Sequence, residues 1–225
     1  MIDSVLLSIH LPKCAGTSFK NSLVSAYGKT CYLDYGNLVT NKSERARSVR
    51  LKKKRELLNM VLNGNFEYDI VHGHFYATKY LDVVERPKWV TVLRNPLELV
   101  PSYYNFLSSS NSNGPLFKVA RESSSLDEFA SHPWFCNIMS KQIYPLHLKD
   151  FYLVSTLDSY EEFCDAFGQV SGQTFNPDHK VNISSKPSHS LTRNQKDIIE
   201  NNNSLDLKLY SDLVSKGGIL FRDSK

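Results

Sequence analysis

Ser4-Val-Leu-Leu-Ser-Ile-His10, running directly into Leu11-Pro-Lys-Cys-Ala-Gly-Thr-Ser18, is the stretch that decides the fold. The first part is a short apolar run with no polar alternation, the pattern of a strand buried on both faces in a parallel sheet. The second part holds a proline and a glycine, and after it Phe19, Leu23, Val24 and Tyr27 recur at helical spacing. Strand, tight loop, helix is the simplest parse.

Further along the chain the same alternation returns. Thr30–Tyr35 reads as a second strand, and Asn41 to Asn63 as a helix with a basic stretch over Arg45–Arg55. Tyr68–His72 is a short strand running into Gly73 and His74. Lys88–Arg94 is another buried strand; Asn95-Pro96 ends it, with Pro96 well placed to open a helix striped by Leu97, Val100, Tyr103, Tyr104 and Leu107. Ser108–Gly114 is polar and low in complexity, so a mobile loop is expected. Phe151–Ser155 is expected to be the last core strand, followed by a helix from Asp158 to Phe167, a loop over Gly168–His189 and a mostly helical remainder. The pattern predicts an α/β fold, with a mainly parallel central sheet flanked by helices and a phosphate-binding strand–loop–helix at its start. No repeat or linker divides the chain, so residues 1–225 are expected to form a single domain.

Composition bounds the function classes. At 225 residues there is room for one sizeable core and little for two. The net charge of +4 agrees with an anionic ligand, although mild basicity serves solubility equally well. Twelve Tyr and twelve Phe could serve the core or a ring-shaped ligand. No run reaches the ~18–20 apolar residues of a membrane span, and no basic segment precedes the first apolar run, so a cytoplasmic protein is expected. No nucleic-acid partner is expected. Cys14, Cys31, Cys136 and Cys164 lack metal-ligand spacing and read as reduced structural thiols. Glycosylation sequons begin at Asn41, Asn182 and Asn202 and matter only in a secretory compartment.

Three constellations carry chemistry. In the first, Lys13, Ala15, Gly16, Thr17 and Ser18 lie where a strand turns into a helix, whose first amides and partial positive charge favour an anion. Gly16 permits close backbone approach, Thr17 and Ser18 add hydroxyls, and Lys13 adds a full charge. The nucleoside-triphosphatase loop differs: it has Gly-Lys followed by Ser or Thr, whereas Lys13 precedes Gly16 by three positions. A plain capped turn is the bland alternative. In the second, Arg94 ends a strand and Ser102 follows eight residues later on a helix, so the two can converge on one corner as a clamp for a terminal phosphate. A surface arginine and a solvent-facing serine are the alternative. In the third, His72-Gly73-His74 follows a short strand, whose alternation points both imidazoles the same way. A histidine is the natural base for a hydroxyl acceptor; structural histidines or a metal site are the alternatives, though no carboxylate or cysteine lies nearby in sequence to complete a ligand set. Of the pair, His74 lies farther past the strand end, where a parallel sheet opens its ligand crevice.

Taken in order, H-L-P-K-C-A-G-T-S, then H-G-H, then V-T-V-L-R-N-P…S-Y-Y, the sequence resembles the carbohydrate sulfotransferases, most closely the branch of the heparan sulfate 2-O-sulfotransferases. The likeness is close over the first half of the chain and loose beyond it. It implies a co-substrate, 3′-phosphoadenosine 5′-phosphosulfate (PAPS), with the 5′-phosphosulfate on Lys13, Ala15, Gly16, Thr17 and Ser18 and the 3′-phosphate on Arg94 and Ser102. It further implies in-line transfer of a sulfuryl group to a hydroxyl of a glycan or glycoconjugate, with His74 as base, Lys13 offsetting charge on the leaving group, and no metal. His10 and His72 are expected to pack or to support the base. Asn182-Ile-Ser-Ser-Lys-Pro187 resembles a late family element that folds over the donor. Cys14 and Asn95 depart from the residues usual at those places, neither of them a donor contact. The basic stretch of Arg45–Arg55 either faces an acidic glycan or is a solvated helix face, the latter favoured. Two other functions stay open: a small-molecule kinase, which needs a Mg²⁺-holding aspartate that the sequence does not offer convincingly, and a non-catalytic nucleotide- or glycan-binding module.

Overall fold

Val5, Leu7 and Ile9 are buried, as are Leu6 and Ser8 between them, so the first strand has no face to show to water. The computed structural model, which describes residues 2–172, 175 and 190–222, accordingly places β1 (Ile2–Ile9) inside the sheet. It pairs in parallel with β3 (Ile70–Gly73) on one side and β4 (Val84–Leu93) on the other. β2 (Cys31–Leu33) extends the sheet beyond β3, and β5 (Phe151–Thr156) lies beyond β4, both parallel to their neighbours. β6 (Ile219–Phe221) closes the far edge antiparallel to β5, giving the order β2-β3-β1-β4-β5-β6. The α/β, mainly parallel architecture read from the sequence is therefore the one observed.

A proline in β4 fits this arrangement. Pro87 pairs with Val5 of β1, whereas β5 joins β4 only from Trp89 onward, so the missing N–H falls where β4 has a partner on one side. The end of β4, Trp89 to Leu93, is buried between both neighbours.

Helices flank the sheet: α1 (Gly16–Tyr27), α2 (Glu44–Leu62), α3 (Pro96–Ser108), α4 (Pro115–Glu122), α5 (Leu126–Ser131), α6 (Ile138–Ile143), α7 (Tyr160–Ser171), α8 (Arg193–Asn202) and α9 (Ser204–Val214). Local chemistry sets their starts. Ser43 Oγ accepts from the Ala46 amide at 3.2 Å at the head of α2, and Asn95 accepts from the Leu97 amide at 3.0 Å ahead of Pro96 in α3. The polar loop of residues 109–114 is tied down by Arg121, which donates to the Ser110 and Ser112 carbonyls at 2.8 Å each.

Three expectations need correction or extension. Phe151–Ser155 is the last buried strand, but not the last strand: a partly exposed edge strand, β6, follows, only three residues long and preceded by Gly217 and Gly218 with φ of 91° and 79°. The helix after β5 does not stop at Phe167 but runs to Ser171, because nothing breaks it before Gly172, which takes the left-handed conformation at φ 65°. The short helices α4, α5 and α6 were not anticipated. The rest of the expected loop over Gly168–His189, Phe175 apart, lies outside the described residues, as does Asn182–Pro187.

Candidate active site

The order of the strands places the site. The chain leaves β1 toward β2 and leaves β4 toward β5, so a crevice opens where the connections part, above the carboxyl ends of β1 and β4. The residues there are the ones singled out in the sequence. Lys13 (φ 62°) and Ala15 (φ 57°) both take the left-handed conformation, which a residue with a side chain adopts at a cost of ~1–2 kcal/mol. Such a turn gathers backbone N–H groups into a concavity suited to an anion. It leads into α1, whose first amides, from Gly16 and Thr17, have no carbonyl within the helix to bond.

Gly16 is dictated by His10. A β-carbon at position 16 would fall 1.9 Å from the His10 ring. That ring cannot swing aside, because it is stacked between His72, with centroids 5.1 Å apart, and His74, at 4.1 Å. The two imidazoles of His72-Gly73-His74 thus do point the same way, with His10 as the plate between them.

Their surroundings separate the three histidines. His72 is 1% exposed and its Nδ1 pairs with Ser8 Oγ at 2.8 Å. Burial first, then the neighbouring His74, lowers its pKa to about 3, with the Gly16 backbone acting in the other direction. It is a structural group. His74 Nδ1 lies 2.6 Å from the His10 carbonyl oxygen. A carbonyl only accepts, so Nδ1 carries the hydrogen, and in the neutral ring Nε2 keeps the lone pair. Burial lowers the His74 pKa below the ordinary imidazole value of 6.5, the His10 carbonyl opposing it, so at neutral pH the ring is uncharged. The same carbonyl accepts from Gln142 Nε2 at 3.0 Å. His10 itself pairs through Nδ1 with Tyr35 Oη at 2.8 Å, and burial, followed by His74 and His72, holds its pKa well below normal. It also lines the main cavity, which the sequence reading, favouring packing, does not anticipate.

Arg94 and Ser102 converge as their spacing predicts. Arg94 Nη1 donates to Ser102 Oγ at 3.2 Å and to the Lys13 carbonyl at 3.1 Å, joining the loop after β1 to the corner after β4, while Nε lies 3.4 Å from Glu98 Oε2. Arg94 lines the cavity and Ser102 stands behind it. Lys13 Nζ sits 4.9 Å from the Phe106 ring centroid. Its pKa is lowered by burial and then by Arg94. Cys14 is buried, with its thiol raised to about 12, chiefly by burial, which leaves it inert as a nucleophile. None of the four cysteines is in a disulfide.

The loop after β2 supplies a wall that sequence reasoning missed. Asp34 donates its amide to the His72 carbonyl at 2.9 Å and crosses Gly73 so closely that a β-carbon there would lie 2.0 Å from the Asp34 carbonyl oxygen. The Asp34 carboxylate is buried against Lys79 Nζ (2.6 Å), Tyr80 Oη (3.0 Å) and Asn37 Nδ2 (3.1 Å). Arg50 donates to the Leu38 and Asn41 carbonyls at 3.0 and 2.8 Å, and Tyr76 to the Val39 carbonyl. These anchors hold Gly36–Thr40 against the crevice. The signal available in the sequence was the end of the predicted strand at Tyr35, which lies, like His10, past the carboxyl end of a strand of the sheet.

The result is a cavity of about 990 Å³ that contains Lys13, Ala15, Gly16, Thr17, Ser18, Arg94, His10 and His74 in its lining. Among the described residues no group of His, Cys, Asp or Glu side chains is arranged to hold a metal ion, and no helix is long and apolar enough to cross a membrane.

No family model matches the sequence, and neither does any curated protein. Among solved structures the chain is similar to a sulfotransferase from Alicyclobacillus acidocaldarius, at 13% identity and a TM-score of 0.51, over 93% of this chain and 95% of that one. It is also similar to the sulfotransferase domain from the curacin biosynthetic pathway, at 8% identity and a TM-score of 0.44, over 95% and 98% of the two chains. At these identities the likeness to the first concerns the backbone alone, and in that sense the chain has a sulfotransferase fold.

Proposed function

We propose that the protein is a sulfotransferase that moves a sulfuryl group from PAPS to a hydroxyl acceptor. One observation carries the reading: a single cavity joins a lysine-bearing anion loop and the Arg94 corner to a histidine whose free nitrogen is fixed as Nε2. The motif order adds to it. PAPS, when bound, supplies an activated sulfuryl group on a phosphate leaving group.

The residues present fit that donor. The amides at the head of α1, with Lys13, Thr17 and Ser18, would hold the 5′-phosphosulfate, and Arg94, backed by Ser102, the 3′-phosphate. His74 Nε2 would take the acceptor proton as the acceptor oxygen bonds to sulfur, a contribution of ~10²–10⁴-fold for a positioned base. Lys13 would offset the charge left on the phosphate oxygen. With that charge met by a lysine and backbone amides, the reading requires no metal. The resemblance to carbohydrate sulfotransferases makes a sugar hydroxyl one candidate acceptor.

Calorimetry with adenosine 3′,5′-bisphosphate and 5′-AMP tests the donor assignment. Arg94→Ala is expected to weaken bis-phosphate binding by about 1.5–3 kcal/mol, the scale of charged hydrogen bonds, and to affect 5′-AMP far less. Because Arg94 also holds the Lys13 carbonyl, Ser102→Ala serves as a milder second variant with the same selectivity. Equal losses for both nucleotides would remove the 3′-phosphate from Arg94.

A further inference from the structure

The cavity continues past the anion-binding corners to a wall whose chemistry bears on the acceptor. We propose that the acceptor is an uncharged alcohol with an apolar body, aryl or long-chain, and not an acidic glycan; this inference rests on the sulfotransferase reading above.

The sheet order fixes where the acceptor lies. A donor spanning the loop after β1 and the Arg94 corner after β4 occupies the middle of the crevice. His74 stands at the end of β3, on the β2 side, so the hydroxyl it serves must come from that side. On that side the lining includes Leu38 and Val39 from the loop after β2; the rest of the apolar lining is Phe106, whose ring centroid lies 4.9 Å from Lys13 Nζ, with Leu107, Leu116 and Phe117 from α3 and α4. α3 reaches that loop, since Tyr103 bonds the Thr40 side chain, and α4 packs against α3. Phe106 and Phe117 have centroids 6.1 Å apart, and Phe106 is 48% exposed, an aromatic surface left open at the crevice. At about 990 Å³ the cavity is at the top of the ~300–1,000 Å³ range for a ligand pocket, roomy enough for a second molecule beside the nucleotide.

The charges point the same way. Among the described residues, Lys13 and Arg94 are the cations that line the cavity, and both belong to the donor corners. The other charged lining residues are Asp158, Glu161 and Glu162, beside the end of β5. An acidic glycan is held by arginine and lysine forks aimed at its sulfates and carboxylates. No basic residue of α2 is in that lining, although Lys53 Cε lies 3.8 Å from where a β-carbon of Gly36 would stand. Arg50 is engaged with the Leu38 and Asn41 carbonyls, Lys54 with Asp82 and the Thr78 carbonyl, and neither side chain lines the cavity. In the transfer, the acceptor oxygen bonds to sulfur, the bond from sulfur to the phosphate oxygen breaks, and the hydroxyl proton passes to His74 Nε2.

The test uses the full chain with PAPS and four acceptors: 2-naphthol, 1-dodecanol, methyl glucoside and a sulfated, uronate-containing disaccharide. Adenosine 3′,5′-bisphosphate and 2-naphthol binding are measured separately by calorimetry. The expected result is a kcat/KM for 2-naphthol or dodecanol that exceeds both sugars, the better of the two telling an aryl from an alkyl acceptor. Phe117→Ala should lower that kcat/KM about tenfold, the scale of lost apolar contacts, with bis-phosphate affinity unchanged. Preference for either sugar would overturn the proposal, and so would bis-phosphate binding with 2-naphthol neither bound nor sulfated. Failure of the bis-phosphate to bind would overturn the donor reading and this inference with it.

Discussion

His74 draws its proposed role from an atom of another residue, the His10 carbonyl, which settles which imidazole nitrogen is free. His74→Ala should therefore lower turnover by about 10²-fold or more while bis-phosphate affinity holds, since a base contributes to the transition state and little to donor binding. His72→Ala should act mainly through stability, given its buried bond to Ser8. Near-normal turnover from a folded His74→Ala protein would pass the role to His10, which lines the same cavity. The base must be neutral to work, and burial holds its pKa below 6.5, so the acid limb of the kcat profile should lie below pH 6.5. A limb at or above that value would contradict the burial argument. Lys13→Ala should lower kcat by a larger factor than it weakens bis-phosphate binding; equal factors would make Lys13 a binding group alone. Lys13, Gly16, Arg94 and His74 were legible in the sequence because each sits at a fixed offset from a strand end. Tyr35 and the stacked position of His10 were not, since both depend on how β2, β3 and β1 lie side by side.

At the scale of elements, the loop after β2 is the part of the site most dependent on tertiary structure. It is hung on a buried ion pair, Lys79 with Asp34, whose side chains are 8% and 1% exposed. Removing one partner leaves the other charge buried alone, so Lys79→Met should destabilise the fold by about 3–5 kcal/mol in urea titrations. The double variant Lys79→Met/Asp34→Leu should recover part of that loss, and the absence of any recovery would contradict the pair as the anchor. Gly73→Ala should cost about 1–3 kcal/mol, because the Asp34 backbone stands where the β-carbon would go. None of this is visible in a sequence, where Asp34 and Lys79 are 45 positions apart. The strands β1, β3, β4 and β5 announced themselves as apolar runs. β6, at three residues, and α5 and α6, at six each, are too short to show a period.

Across the whole molecule, the stacked histidines couple the site to stability. His10, His72 and His74 are all buried with lowered pKa values, burial being the largest cause for each. Below pH 6.5 the unfolded chain binds protons that the folded one refuses, so their contribution is present at neutral pH and is lost as pH falls toward about 3 for His72. The loss reaches about 1.4 kcal/mol per pH unit for each such group. Urea midpoints should fall between pH 7.5 and pH 5, less steeply in His72→Leu, and a flat profile would mean the histidines do not stay neutral on folding. The parallel sheet and its crevice could be read from the alternation of strands and helices, but the apolar part of the cavity lining could not, because it joins residues from Leu38 to Phe117.

The central claim is sulfuryl transfer, and it is tested most directly by incubating the protein with PAPS and 2-naphthol without divalent metal and following both products by mass spectrometry. The account predicts sulfated naphthol and adenosine 3′,5′-bisphosphate in equal amounts, both lost in His74→Ala. No product from PAPS with any hydroxyl acceptor, alongside phosphorylated product from ATP and Mg²⁺, would contradict it.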